Sequence, residues 1–392
     1  MKKIIVALIV VLFVLDATAC QKVNVPDTSP EYHFETDCQY YHTSAVGNQY
    51  IAETETMLYS ISKDGYLYGI EKATMRAVIL CSKPECLHDQ RDLEYMSECY
   101  ECNAYVGSQG GRCLNYYNGY LYGIFKDYSN PNEVAPPYVL QRISLDGSSR
   151  KNVWILQWKD DIKGNPLMAV MHRGKCYVML QEYQTGKPTI STVLSYDLKK
   201  KKTEIIYQEE GYTSCLVAYG DQLFFRVEGK DLLSETAQYD LTTKELKILE
   251  DCFSVIPFGE KLLYYYANTD GVTLFHRLVV KNFDGTEEHP FETVDLNEVP
   301  KSGKILHVEG QNLFVMDGIS GMEIRRYDLL TGENLGTVPF PEQCKEWAFR
   351  FLSYSRDGKL LVYDIYDFNF FYCSIEEIGT PDFQWHQVET IH

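Results

Sequence analysis

Five side chains with affinity for soft metal ions crowd into one short stretch: Cys81, Cys86, His88, Cys99 and Cys102, spaced C-x4-C-x-H-x10-C-x2-C. The terminal Cys-x2-Cys lets one turn present two thiolates to one ion, and Cys-x-His adds an imidazole close by. Pro84 restricts the first loop and lowers the entropy of bringing Cys81 toward Cys86. Three or four thiolates with one imidazole suit tetrahedral zinc, or iron. Such a closed site would be structural, clamping an insertion over residues 81–113 that lacks a core of its own. Disulfide formation competes for the same sulfurs, because the chain begins with an export signal. Both readings stay open on the sequence alone.

That signal occupies residues 1–19. Lys2 and Lys3 precede an apolar run from Ile4 to Leu15, shorter than the ~20 residues of a spanning helix and suited to a secretion signal. Ala17-Thr18-Ala19-Cys20 resembles the lipobox of bacterial lipoproteins, in which the cysteine thiol carries the lipid. The resemblance implies lipidation at Cys20 and anchoring to the outer face of the bacterial cytoplasmic membrane. Residues 20–38 contain Pro26 and Pro30 with little apolar content and read as a tether. Of the 12 cysteines, a lipidated Cys20 leaves an odd number, so at least one is unpaired or bound otherwise. Cys176, Cys215 and Cys373 sit inside apolar runs and read as small buried hydrophobes.

Residues 39–392 repeat. Leu114-Asn115-Tyr116-Tyr117, Asn118-Gly119 and Tyr120 to Phe125 show an apolar strand, a tight turn and an alternating strand. Asn-Gly favours a type I′ hairpin, in which both central residues need positive φ. Comparable turns occur at Gly47-Asn48, Arg173-Gly174, Gly220-Asp221, Gly259-Glu260, Gly310-Gln311 and Asp357-Gly358. A second signature, Tyr-Asp-Leu, closes a third strand at Tyr196, Tyr239 and Tyr327. Four short antiparallel strands repeated at this period predict an all-β fold, a β-propeller of about seven four-stranded blades. First-to-second and third-to-fourth turns then share one face, where the connections are short. Longer connections, Lys126 to Tyr138, Gln184 to Ser191 and Gly229 to Glu235, fall on the other face, as does the cysteine-rich insertion. Long loops on a rigid scaffold are where binding usually resides. Tyr128, Tyr138 and Tyr183 on those loops are the candidates for stacking on a sugar or anchoring a protein partner.

The 392 residues are 45% hydrophobic with a net charge of −18, which excludes a disordered chain and disfavours nucleic acid as a partner. Removal of Lys2, Lys3 and Asp16 with the signal would take that charge to −19. No His-Glu-x-x-His, Gly-x-Ser-x-Gly, Walker loop or dinucleotide fingerprint is present. Acidic pairs such as Asp160-Asp161 and Glu209-Glu210 read as solvated surface. A glycan hydrolase or lyase using channel-facing carboxylates is the alternative to a binding module.

Leu80-Cys81-Ser82-Lys83-Pro84-Glu85-Cys86-Leu87-His88 with Cys102-Asn103-Ala104-Tyr105 resembles a signature of uncharacterised propeller lipoproteins from anaerobic Gram-positive bacteria. The resemblance singles out Cys81, Cys86, His88 and Cys102 as the essential four. It marks Cys99 and the length of residues 89–101 as departures, and it brings no activity with it. Ser355-Arg356-Asp357-Gly358-Lys359 is similar to a repeat of TolB-like propellers, and Tyr-Asp-Leu-x-Thr-Gly to quinoprotein-type repeats. Both imply architecture only.

Overall fold

The computed structural model describes residues 31–42, 50–62, 64–86, 102–107, 113–127, 136–156, 164–228, 234–250, 252–259, 261–269, 274–283, 285–291, 304–317, 323–344, 351–364 and 369–391. They form seven antiparallel sheets. The first blade is β1 (Ile51–Glu53), β2 (Met57–Ile61), β3 (Leu67–Glu71) and β4 (Arg76–Ile79). The second is β5 (Asn115–Tyr117), β6 (Tyr120–Lys126), β7 (Tyr138–Ser144) and β8 (Arg150–Ile155). The third is β9 (Asn165–His172), β10 (Lys175–Glu182), β11 (Ile190–Asp197) and β12 (Lys202–Glu210). The fourth is β13 (Thr213–Tyr219), β14 (Gln222–Glu228), β15 (Ser234–Asp240) and β16 (Leu246–Leu249). The fifth is β17 (Cys252–Phe258), β18 (Lys261–Thr269), β19 (Leu274–Asn282) and β20 (Glu287–Phe291). The sixth is β21 (Lys304–Glu309), β22 (Asn312–Asp317), β23 (Glu323–Asp328) and β24 (Asn334–Pro339). The seventh is β25 (Phe351–Ser355), β26 (Lys359–Asp364), β27 (Asn369–Ser374) and β28 (His386–Gln387). This is the expected β-propeller.

Each blade is sandwiched between two others, so its second strand is buried on both sides and reads as a continuous apolar run. Cys176 to Leu180 of β10 are all enclosed, whereas the outermost strands β12 and β16 are largely exposed. The hydrophobic clusters are the seams between blades; Leu58 and Ile70 of the first blade meet Tyr363 and Phe370 of the seventh. The ring is closed at its rim by β29 (Glu389–Ile391), which adds a fifth strand to the first blade by pairing parallel with β4.

Local chemistry explains the hairpins. Asn118 and Gly119 adopt φ of 48° and 80°, and Arg173 and Gly174 φ of 46° and 83°, the sign that a type I′ turn requires. The recurrent Asp after each Tyr accepts two main-chain hydrogen bonds across the next turn. Asp240 Oδ1 accepts from the N–H groups of Thr242 (2.8 Å) and Thr243 (2.7 Å), and Asp328 Oδ1 from Leu330 (2.9 Å) and Thr331 (2.7 Å). These are Asx turns, and they account for the signature. The hairpin of the first blade spans 54–56, between β1 and β2; the expected turn at Gly47-Asn48 lies outside the described residues.

One expectation is corrected. Residues 31–38 are not tether: with Gln39 to His42 they cross the channel mouth on the short-turn face and touch every blade. Gln39 pairs with Glu53 of the first blade, and Glu35 O accepts the N–H of Asn118 of the second (2.6 Å). Asp37 forms an ion pair with Arg173 of the third (3.0 Å). Tyr40 packs edge-on against Tyr219 of the fourth and accepts the N–H of Gly259 of the fifth (3.2 Å). The 3-10 turn Tyr40–His42 packs on β21 of the sixth blade, and His42 bonds Ser353 of the seventh (2.6 Å). The segment looks polar in sequence because hydrogen bonds hold it more than apolar area does. Its detectable signal is the aromatic density of Tyr32, Phe34, Tyr40 and Tyr41.

Candidate metal centre and the faces of the propeller

Cys81 follows β4 directly, and Cys86 closes a turn in which its N–H donates to Lys83 O (3.2 Å). Cys102 is brought from the far side of the insertion by a stretch that behaves as an added edge strand. Leu67 N–H donates to Ala104 O (2.8 Å), Val106 N–H donates to Gly65 O (2.7 Å), and Tyr105 bridges Tyr66. From the second blade, the Arg150 guanidinium donates to the carbonyls of Tyr105 (2.5 Å) and Asn103. The centre is therefore held between two blades at the ring's rim.

There the sulfur atoms of Cys81, Cys86 and Cys102 all lie within 4.8 Å of one another. Tetrahedral zinc with ~2.3 Å bonds separates two sulfurs by about 3.8 Å, so small adjustments would close the three around an ion. The described cysteines form no disulfide with one another. Burial pushes the Cys81 thiol up, yet hydrogen bonds from the N–H groups of Lys83 and Asn103 and from the Cys102 and Cys86 thiols outweigh it and hold Cys81 below its ordinary value. Cys86 is pushed up to about 12 by burial and by its two sulfur neighbours, and Cys102 is raised chiefly by burial. Cys81 is thus the sulfur of the three whose ionised form is favoured, and a bound dication would favour loss of the proton from all three. Cys81 and Cys102 each accept an N–H from two residues on, at Lys83 and Ala104, the support that orients sulfur ligands. His88 and Cys99 lie outside the described residues, as does Cys20.

Cys176, Cys215 and Cys373 are buried in strands as expected. The structure adds a set of buried ionisable groups beneath the N-terminal segment that the sequence did not reveal. Glu53 Oε1 accepts from Lys72 Nζ (2.5 Å), Ser355 Oγ (3.1 Å) and Arg356 N–H (3.0 Å), while Oε2 lies 3.3 Å from His42 Nε2. Burial would raise this carboxyl, but hydrogen bonds and charge from His42 and Lys72 hold it down at about 2. His172 accepts Cys38 N–H at Nδ1 (3.1 Å) and donates from Nε2 to Gly220 O (2.7 Å), a pairing that only neutral imidazole satisfies. Burial lowers its pKa accordingly. His307 is enclosed with neither ring nitrogen hydrogen-bonded, and burial followed by the charge of His42 lowers it to about 3.

On the opposite face, Tyr183 follows β10 and is 56% exposed, and Tyr138 opens β7 half-buried beneath Lys126, whose Nζ lies 5.8 Å from its ring centroid. Tyr128 lies outside the described residues. Sequence reasoning missed Tyr212, also 56% exposed. It lies in the connection from β12 to β13, on the same face as Tyr183; the Tyr183 hydroxyl donates to Gln181 Oε1, and Gln181 Nε2 donates to Thr213 O (3.0 Å). The expected segregation of loop lengths has one exception. The connection from Ile375 to Trp385, between β27 and β28, is long and lies on the short-turn face.

No protein-family model matches the sequence, and no curated protein matches it. Among solved structures, the chain is similar to the computationally designed Ika8 protein (10% identity, TM-score 0.52, covering 91% of each chain). It is similar to the tricorn protease at 9% identity and a TM-score of 0.51, over 88% of this chain and 34% of that one. The β-propeller domain of the Trilobed protease from Pyrococcus furiosus aligns at 12% identity and a TM-score of 0.41, over 69% of this chain and 94% of that one. At such identities the likeness is one of fold.

Proposed function

We propose that the protein is an exported, lipid-anchored binding module that holds a protein or glycan partner on its long-loop face. The observation that carries this reading is the exposure of Tyr183 and Tyr212, 56% each, on two connections of the face opposite the N-terminal segment. Glu31 lies on the short-turn face, where its carbonyl accepts from the Arg173 guanidinium (3.1 Å). From Cys20 to Glu31 the extended reach is at most about 40 Å. A lipid on Cys20 then keeps the short-turn face toward the membrane and turns the tyrosine pair outward. Amphipathic rings of low conformational entropy are suited to such contacts.

The cysteine centre serves this module as a structural clamp. Three thiols converge on one point, and a disulfide uses two and strands the third, whereas a zinc-type ion uses all three with His88 as the fourth donor. The resemblance to propeller lipoproteins of anaerobic Gram-positive bacteria is in keeping with this set. A hydrolase reading needs carboxylates free to act. Of the carboxylates under the short-turn mouth, Glu53 is engaged by Lys72 and His42, and Asp37 by Arg173.

Glycan-array and protein-array binding by wild type and by Tyr183→Ala/Tyr212→Ala tests the reading. Loss of the wild-type signals in the double variant is expected. Equal binding by both proteins would remove the long-loop face from the function.

A further inference from the structure

A cavity of about 270 Å³ opens on the other, short-turn face, between the N-terminal segment and the fifth to seventh blades. Tyr32, Tyr40 and Tyr41 of the segment line one side, and Tyr354, Glu309 and Arg356 are among the blade residues that line the rest. Successive rings stand nearly perpendicular: Tyr32 to Tyr40 at 82° with centroids 5.2 Å apart, Tyr40 to Tyr41 at 84° and 5.6 Å, Tyr41 to Tyr354 at 78° and 6.5 Å. The rings thus meet edge to face along the cavity wall and do not form one stacking platform.

The cavity holds one carboxylate and one guanidinium, and the two are not paired with each other. Glu309 accepts from Asn312 Nδ2 (3.3 Å) and from the Tyr354 hydroxyl, both neutral donors. Among the described residues no cation pairs with it. Arg356, the one cation in the lining, lies over the Phe34 ring instead, 4.3 Å from its centroid. The Tyr32 and Tyr41 hydroxyls are enclosed and interact with each other. The cavity is slightly smaller than the ~300–1,000 Å³ of drug-sized ligand sites, so its occupant is a small molecule rather than an oligosaccharide.

We propose that this cavity binds a small organic ammonium ion. The cation sits against the negative faces of the tyrosines, and Glu309 supplies the counter-charge. A net charge of −18 on the chain raises the local concentration of such cations. A neutral sugar would gain from the rings but leave the carboxylate without its counter-ion. The site is separate from the long-loop face and does not depend on what binds there.

Calorimetric titration of the detergent-solubilised full chain with choline, and with its uncharged isostere 3,3-dimethylbutan-1-ol, tests the proposal. Saturable choline binding at least tenfold tighter than the alcohol is expected, with at least a fivefold loss in Glu309→Gln. Equal affinity for the alcohol, an unchanged Glu309→Gln affinity, or no saturable binding would overturn it. Should Glu309→Gln fail to fold, the comparison of choline with the alcohol on wild type decides the matter alone.

Discussion

The side-chain amide of Gln39 pairs with both main-chain groups of Glu53, donating from Nε2 to the carbonyl at 2.6 Å and accepting the N–H at Oε1 at 2.8 Å. It thereby acts as the missing strand neighbour of β1 on the channel side. Both residues are enclosed, so no water replaces the bonds if the amide is lost. Gln39→Leu is expected to destabilise the protein by about 2–4 kcal/mol, since two buried main-chain groups are left unpaired. Urea denaturation measures this, and a change under about 0.5 kcal/mol would mean that the N-terminal segment contributes little to the ring.

Acid should weaken the fold through histidines before carboxylates. In the unfolded chain a histidine takes a proton near pH 6.5, whereas His307 refuses it until about pH 3. His172 is displaced in the same direction. Their contribution is complete above pH 6.5 and is lost as the pH falls from there toward the folded values. His307 contributes a slope approaching 1.4 kcal/mol per pH unit, or about 2 kcal/mol between pH 6.5 and 5, and His172 adds to it in the same direction. Glu53, held at about 2, adds a second loss only below pH 4.5. In His307→Gln the slope between pH 6.5 and 5 should fall by about one proton; an unchanged slope would show that this ring is already charged in the folded state.

The cysteine centre should carry about one zinc-type ion per chain in elemental analysis of protein purified under reducing conditions. Cys102→Ser should lose the ion and lower the melting temperature, while Cys373→Ser, away from the centre, should retain it. Metal-free protein with two thiols missing from a titration of the denatured chain would establish the disulfide instead.

The rim clasp separates main-chain pairing from surface charge. Arg76 Nε and Glu389 Oε2 lie 2.9 Å apart, but both side chains are more than half exposed. Glu389→Ala should therefore change stability by less than about 0.5 kcal/mol. Truncation after Gln387 removes the β29 ladder and buried Val388, with an expected loss of about 2–4 kcal/mol. Thermal unfolding of the two variants makes the comparison, and equal effects would contradict it.

The sequence by itself determined the blades. Asn118-Gly119 and Arg173-Gly174 specify their turns through their own φ preferences, and Asp240 and Asp328 through bonds to the next few residues; such information is local and therefore legible. Cys81, Cys86 and Cys102 were legible as a group for the same reason, although their convergence needed the edge pairing of Ala104 and Val106 with the first blade. Only the tertiary structure decided the fate of residues 31–42. Gln39 meets Glu53, Asp37 meets Arg173 and His42 meets Ser353 across the whole ring. A polar segment is buried only when distant blades supply partners for each of its groups, and no local pattern records those partners. The cavity around Glu309 arose in the same way, from blades that closure of the ring brings side by side.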